Sequence, residues 1–502
     1  MLHSKFYNWS KLSRCILAIL WLCIVSNSLR AQSCSCNVFQ VQANMVSPCE
    51  LTIGTVVNVN SATAFRNAIN QANANGGNMT ILIADGSYEI ASPVSYPYIT
   101  ASHLIIRSAS GNRDNVILHG EGMKDVAPNT EDGLHVAGDN VTIADLTIKD
   151  VGNHGIQVSG HHLLVHNVRI QNTYQQMLKG ATDATSIDSA IIQCSLFEYT
   201  ETPGPNFYIG GLDIHKGNGW KVHDNVFKNI ISPSGSVAEH AIHFWNNSQN
   251  NTIERNVIIN CDRGIGFGLG NSPNTGGMIR NNMIYNNGAG AFNDVGIGLE
   301  SSPGTKVYNN TIFIPYQNAI EYRFPSTTGV HIANNLTNKL IRSREGGVGV
   351  VESNIDQAPP EWFVNPAEGD LHLASFIDIG GIILTNEVPD DIDQTPRYVG
   401  TGFEIGADEL LATDINVGFI SDEIKIFPNP GPGKFNITGF NQGMSVGNIE
   451  VYNPIGKRID VRITLLENSC EIDLIDQPDG IYLVKIRDGN EYYLKKLIIC
   501  RI

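Results

Sequence analysis

A series of short apolar triplets along the chain carries residues of catalytic type at its centres. The triplets are Leu134-His135-Val136, Ile156-Gln157-Val158, Leu178-Lys179-Gly180, Leu212-Asp213-Ile214, Ile242-His243-Phe244, Ile265-Gly266-Phe267, Ile297-Gly298-Leu299 and Ile320-Glu321-Tyr322. If each is a strand, alternation turns the middle residue away from its apolar neighbours. The outward column then reads His135, Gln157, Lys179, Asp213, His243, Gly266, Gly298 and Glu321, with His215, Trp245, Glu300 and Arg323 two residues further on. His154, Gln176, His240 and Arg263 precede the strands, and Glu239 and Asp262 stand beside the last two. A solvent-facing sheet ordinarily carries Thr, Ser, Lys or Val. An ammonium, a carboxylate and imidazoles on rungs ~4.8 Å apart therefore mark a candidate site.

Several chemistries suit this column. Abstraction of the C5 proton of a uronate needs a base, and a cation beside the substrate carboxylate. Lys179 or His243 is the candidate base, His215 adjoins them, and Arg263 is the candidate neutralising cation. Ca2+ held by Asp213, Glu239 and Asp262 is an alternative source of charge. Gln157, Trp245, His240 and His154 are candidate substrate contacts, with the indole of Trp245 as a sugar-stacking face. Hydrolysis would need paired carboxylates, and Asp213 is the only acid in the central part of the column. His215, His243 and Asp213 are a third possibility, as ligands of a transition metal. A surface that binds glycans without cutting them would favour aromatic rows, whereas this column is mostly titratable with one Trp. On a solvated face, truncating Lys179 or His243 is expected to leave the melting temperature unchanged.

The elements that must hold these residues are set by a repeat. Val222-His223-Asp224-Asn225-Val226, Ile253-Glu254-Arg255-Asn256-Val257, Ile279-Arg280-Asn281-Asn282-Met283, Val307-Tyr308-Asn309-Asn310-Thr311 and Ile332-Ala333-Asn334-Asn335-Leu336 share the form apolar-x-x-Asn-apolar. Asp145, Asn167 and Ser195 are assigned the same place upstream, and the spacings from Asp145 to Asn335 are 22, 28, 30, 31, 26, 28 and 25 residues. Such a period, with short strands inside it, predicts a solenoid in which no coil can bury its own apolar face alone. Stacked Asn at a turn tolerates left-handed backbone and bonds along its own ladder. About ten coils are expected, with Ile405-Gly406-Ala407-Asp408-Glu409 the last coil-like segment.

Residues 55–409 resemble the pectate-lyase-like superfamily of right-handed parallel β-helices. Ser61-Ala62-Thr63-Ala64-Phe65 and Ile81-Leu82-Ile83-Ala84-Asp85-Gly86-Ser87-Tyr88 match its first helix and first coil. The resemblance implies an all-β solenoid with an N-terminal helical cap and a small C-terminal β-sandwich. It is specific for fold and weak for reaction, because that superfamily holds lyases, hydrolases, esterases and adhesins. Some of its lyases use a Lys base with Ca2+, which the residue types here allow without matching their full motif. Together these readings point to a polysaccharide lyase, with a glycoside hydrolase or a non-catalytic glycan-binding protein as alternatives.

The ends of the chain speak of export. Lys5, Lys11 and Arg14 precede a short apolar run at residues 15–25, and a cleavage site is placed near Ala31, the pattern of a secretory signal peptide. No later run is long enough to span a membrane. Downstream, Phe427-Pro428-Asn429-Pro430, Tyr452-Asn453-Pro454-Ile455-Gly456-Lys457, Gly480-Ile481-Tyr482 and the basic pair Lys495-Lys496 resemble the C-terminal sorting domain of type IX secretion substrates from Bacteroidetes-type bacteria. The expected organisation is signal peptide 1–31, N-terminal segment 32–54, β-helix 55–412, linker 413–421 and sorting domain 422–502.

Composition agrees with a secreted, loop-rich β protein: 42% of residues are hydrophobic, only 16% are charged and 49 are glycine. The net charge is −16, and loss of Lys5, Lys11, Arg14 and Arg30 with the signal leaves 29 basic against 49 acidic residues, or −20. That charge argues against nucleic acid, so an extracellular polysaccharide and the type IX machinery are the expected partners of a monomer. Cys34, Cys36 and Cys49 are expected to supply one disulfide in an oxidising compartment, with Cys194 and Cys261 as small buried residues.

Overall fold

The computed structural model describes residues 36–43, 51–410 except 181–185, 234–235, 289, 291, 376, 378 and 398–402, and 424–501 except 440–444, 446–447, 454–457, 467–468, 479, 489–490 and 500. The expected signal peptide and linker lie outside these residues. Three parallel sheets of 12, 10 and 10 strands run the length of a β-helix, each coil lending one strand to each sheet. Parallel crossovers of this kind are right-handed. Inward residues such as Ile156, Leu178, Leu212, Ile242, Ile265 and Ile297 are fully buried and form one continuous apolar core. That shared burial is why short strands of two to seven residues hold at all: each is stable only between its neighbours.

The helix Ala62–Asn75 closes the N-terminal end. Ser61 caps it by accepting from the Ala64 amide (3.1 Å), and Gly76 ends it at φ 77°. It buries Phe65, Ala68, Ile69 and Ala72 against the first coil, so that end of the core is not exposed to solvent.

The Asn column forms a ladder. The amides of Ser195, Asn225, Asn256, Asn282 and Asn310 donate to the side-chain carbonyls of Asn225, Asn256, Asn282, Asn310 and Asn335 at 3.0–3.1 Å, and Asn335 continues it to Asn354 at 2.8 Å. Two details differ from the sequence expectation. The left-handed residue is the one before each rung, Asp224, Arg255, Asn281, Asn309 and Asn334, at φ 49–57°. Asp145 and Asn167 occupy that earlier position, since the amide of Val168 donates to Ser195 Oγ (3.1 Å) and so holds the rung itself.

Stacking also ends earlier than the motif spacing suggests. The last solenoid strand is Gly349–Glu352. Residues from Ala358 to Leu410 fold back along the flank, where Phe363, Leu371, Leu373, Ile392 and Ile405 pack with Val226, Val257, Ile259 and Met283. Residues 36–43 join this cluster, and Cys36 is disulfide-bonded to Cys194, not to another N-terminal cysteine. Cys34 and Cys49 lie outside the described residues. The tail forms two four-stranded antiparallel sheets with their own core, which includes Phe435, Ile437, Val451, Ile472, Val484 and Leu497.

Candidate functional site

The ten-stranded sheet that carries the column pairs in the register expected from alternation. His135, Gln157, Lys179, Asp213, His243, Gly266, Gly298 and Glu321 are successive cross-strand partners, and His215 pairs with Trp245. The column is not a solvated face, however. Lys179 is 8% exposed, Asp213 2% and His243 1%. Neighbours one rung away cover one another: Asp213 lies between Lys179 and Trp245, and Trp245 stacks on His243. The amide of Gly204 donates to the Ile231 carbonyl (2.8 Å), tying the inserts 199–210 and 231–239 together.

At the centre Lys179 Nζ donates to Asp213 Oδ2 and lies 3.2 Å from His215 Nε2. Trp245 Nε1 donates to Asp213 Oδ1 at 2.6 Å. Both carboxylate oxygens are therefore held. Burial works against ionisation of Asp213, but the charges of Lys179 and His243 and the two donors outweigh it, so its pKa ends below the ordinary carboxylate value. His215 keeps a side-chain exposure of 20%. Burial, then the adjacent Lys179 charge, pushes its imidazole down to about 4, so the ring is neutral in ordinary media.

Trp245 does not offer two free faces to a sugar. Its ring stacks on His243 (5.6 Å between centroids, 9° between planes) and meets His215 edge-on at 4.2 Å. His243 Nε2 lies 3.1 Å from the Gly268 carbonyl, to which it donates. Its Nδ1 faces Glu239 Oε2 at 3.5 Å and Asp213 Oδ1 at 3.9 Å without a hydrogen bond. His240 lies beside it, ring centroids 4.4 Å apart, and burial pushes its pKa well below the ordinary imidazole value.

The remaining candidates scatter. His154 is buried and hydrogen-bonds the Gln176 carbonyl at 3.0 Å, with burial lowering its pKa; it supports the strand beneath the site. Gln157 is half-buried between His135 and Lys179. Arg263 is bound to Asp294 at 2.8 Å. It lines, with His240, Asp294, Glu300 and Glu321, a small, partly open polar pocket one to four rungs beyond Asp213. The oxygen set expected for Ca2+ does not converge. Asp262 Oδ2 accepts from the amides of Ser232 and Ala238 at 2.9 and 3.0 Å, so this carboxylate anchors the second insert, and burial raises its pKa. Among the described residues, the two groups whose ligand atoms lie within 4.8 Å of one another are Glu239–His240–His243 and His372–Asp393–Asp408.

Sequence reasoning missed Phe207 and Tyr208, which are 53% and 43% exposed at the tip of the first insert. Gln176 Nε2 donates to the Tyr208 carbonyl at 2.9 Å, which ties the backbone of this insert to the strand that carries Lys179. Two adjacent aromatics in an otherwise polar insert were the available signal.

No curated protein matches the chain. Among the solved structures similar to it are two carbohydrate-active proteins. The alginate lyase from Paenibacillus sp. str. FPU-7 is 16% identical, with a TM-score of 0.41, over 60% of this chain and 99% of its own. The catalytic domain of a GH87 α-1,3-glucanase in complex with nigerose is 12% identical, with a TM-score of 0.31, over 62% of this chain and 67% of its own. Among the described residues no helix is long and apolar enough to cross a membrane. Residues 425–500 match the family described as the secretion system C-terminal sorting domain, which assigns the tail to type IX export and the protein to secretion or the cell surface.

Proposed function

We propose that the protein is an exported polysaccharide lyase that cleaves a uronate-containing glycan by β-elimination at the Lys179–Asp213–His215 cluster. The observation that carries this reading is a neutral, partly accessible imidazole hydrogen-bonded to a buried ammonium–carboxylate pair. His215 is the base that takes the C5 proton. The released electron pair forms the C4–C5 double bond as the C4–oxygen bond breaks, and the leaving oxygen takes a proton from Lys179 or water. Before that, the Lys179 ammonium sits beside the substrate carboxylate and lowers the cost of the carbanion-like charge. Asp213 orients Lys179 and Trp245 without acting on the sugar. Phe207 and Tyr208 supply stacking faces from the first insert. Because Asp213, Glu239 and Asp262 do not converge, no step is assigned to Ca2+.

Digestion of a panel of uronate polymers, followed at the absorbance of the unsaturated product, tests the reading. On the cleaved polymer, Lys179→Ala and His215→Gln should each cost about 10²–10⁴-fold in turnover. The acid limb of kcat/KM should fall near pH 4, where His215 becomes protonated, not near the ordinary imidazole value. New reducing ends without unsaturated product would make the protein a hydrolase. Glycan binding with no cleavage would make it a binding solenoid.

A further inference from the structure

We propose that Glu239, His240 and His243 form a binding site for a divalent transition-metal ion, with Zn2+ the ion that the donors suit best. The site stands on its own geometry, independently of the reaction proposed above. A carboxylate oxygen of Glu239 and one nitrogen of each imidazole lie within 4.8 Å of one another. His240 is 7% exposed and His243 1%, yet Nδ1 of both rings is buried without a hydrogen-bond partner. Leaving a buried polar atom unsatisfied forfeits its hydration with nothing in return. Two of them, on touching rings beside a carboxylate, point to a shared cation that satisfies both.

The surroundings prepare the donors. His243 Nε2 spends its proton on the Gly268 carbonyl (3.1 Å), which leaves the Nδ1 lone pair free; ligating histidines are commonly held this way through their other nitrogen. The backbone of the triad is pinned by Glu239 N to Ile209 O (2.9 Å), Gly211 N to His240 O (3.2 Å) and Ala241 N to Arg263 O (3.1 Å). Gly266, in the outward column, makes room for the ring of His240: a Cβ there would stand 2.6 Å from His240 Nε2. Two imidazoles and one carboxylate suit Zn2+ and its neighbours in the first transition row, whereas Ca2+ takes six or more oxygens. Three protein donors leave a coordination position open, and His240 also lines the small polar pocket shared with Arg263 and Glu300. The second cluster lacks this readiness, because both nitrogens of His372 are already bonded, to Asp370 at 2.6 Å and Asp393 at 2.9 Å.

The test uses the full chain stripped with a chelator and then equilibrated with Zn2+ alone, Co2+ alone or Ca2+ alone. Bound metal is counted by elemental analysis, and affinity is read by calorimetry and by the fluorescence of Trp245, which stacks on His243. One Zn2+ per chain is expected, and Co2+ should give the visible absorption of a nitrogen-ligated centre. Glu239→Gln and His240→Gln should each weaken Zn2+ binding by more than the roughly 10–100-fold loss typical of an outer-shell partner, while His372→Gln should leave it unchanged. Far-ultraviolet circular dichroism checks folding, and the half-buried Glu239 keeps the test alive if His240→Gln does not fold. No stoichiometric Zn2+, Zn2+ lost only in His372→Gln, or Ca2+ bound in preference to Zn2+ would each overturn the proposal.

Discussion

Replacing Lys179 by Met should destabilise the β-helix, because it strands a charge. The side chains of Lys179 and Asp213 are 10% and 3% exposed, so the pair is removed from water. Removing one member of a buried pair typically costs 3–5 kcal/mol, because the other charge stays buried without compensation. Asp213 would keep the Trp245 donor at 2.6 Å and the neighbouring His243 at 3.9 Å, so the lower end, about 3 kcal/mol, is expected. Against the 5–15 kcal/mol of an ordinary domain that is a large fraction. Urea unfolding followed by Trp fluorescence isolates the effect, since Trp220, Trp245 and Trp362 lie outside the sorting tail, which has no Trp. In the wild type the pKa of Asp213 is lowered, so its contribution is present above the unfolded carboxylate value and lost as pH falls through the folded one. Without Lys179 the burial effect dominates and raises that pKa, so the gap between variant and wild type should widen from acid to neutral pH. Adding Asp213→Asn to Lys179→Met should recover on the order of 2 kcal/mol as coupling. A single-variant loss below ~0.5 kcal/mol, or strict additivity of the two changes, would refute the buried-pair argument.

Asn282→Ala should cost about 3 kcal/mol: it removes donors to the carbonyls of Ile253 and Arg280 at 3.0 and 2.9 Å and the acceptor of the Asn256 amide at 3.0 Å, at about 1 kcal/mol for each buried group left unpaired. Urea midpoints check it, and Asn282→Asp should not recover the loss, because a carboxylate cannot donate to these two carbonyls. His372, held between Asp370 and Asp393, has a pKa raised to about 10, with the two carboxylates outweighing burial. Its stabilisation is complete below the unfolded value of about 6.5 and fades as pH rises towards 10. Wild type should therefore lose on the order of 2–4 kcal/mol between pH 7 and 10, and His372→Gln should be nearly flat over that window.

Strand register was legible because alternation and the Asn period are local properties that the solenoid merely repeats. The triplets around Lys179, Asp213 and His243 align as read, and the ladder from Asn225 to Asn335 stacks as read. What failed was non-local. The burial of Lys179, which argues against an unchanged melting temperature on truncation, comes from its pairing with Asp213 and His215 on the next rung, 34 and 36 residues away. The Cys36–Cys194 bridge spans 158 residues, and nothing near either cysteine signals the other. Asp262 looked like a metal ligand beside Arg263, but its carboxylate turns to the amides of the insert that follows the previous coil. Position in sequence placed it in the column's neighbourhood without telling which way it faces.

The column divides at Gly266 and Gly298, and the division assigns its two halves different work. Beyond the glycines the acids are matched to arginines: Glu321 accepts from Arg344 at 2.8 and 3.1 Å, Glu300 from Arg323 at 3.0 Å, and Arg323 reaches Glu345 at 3.0 Å. These are ladder ties between coils, each acid matched to a base on the next rung. Before the glycines the matching is incomplete. One ammonium serves Asp213 and His215, two imidazole nitrogens have no partner, and Glu239 approaches His243 without bonding it. Burial with incomplete pairing is costly for stability. Incomplete pairing of this kind is what the proposed substrate and the proposed metal ion would each complete.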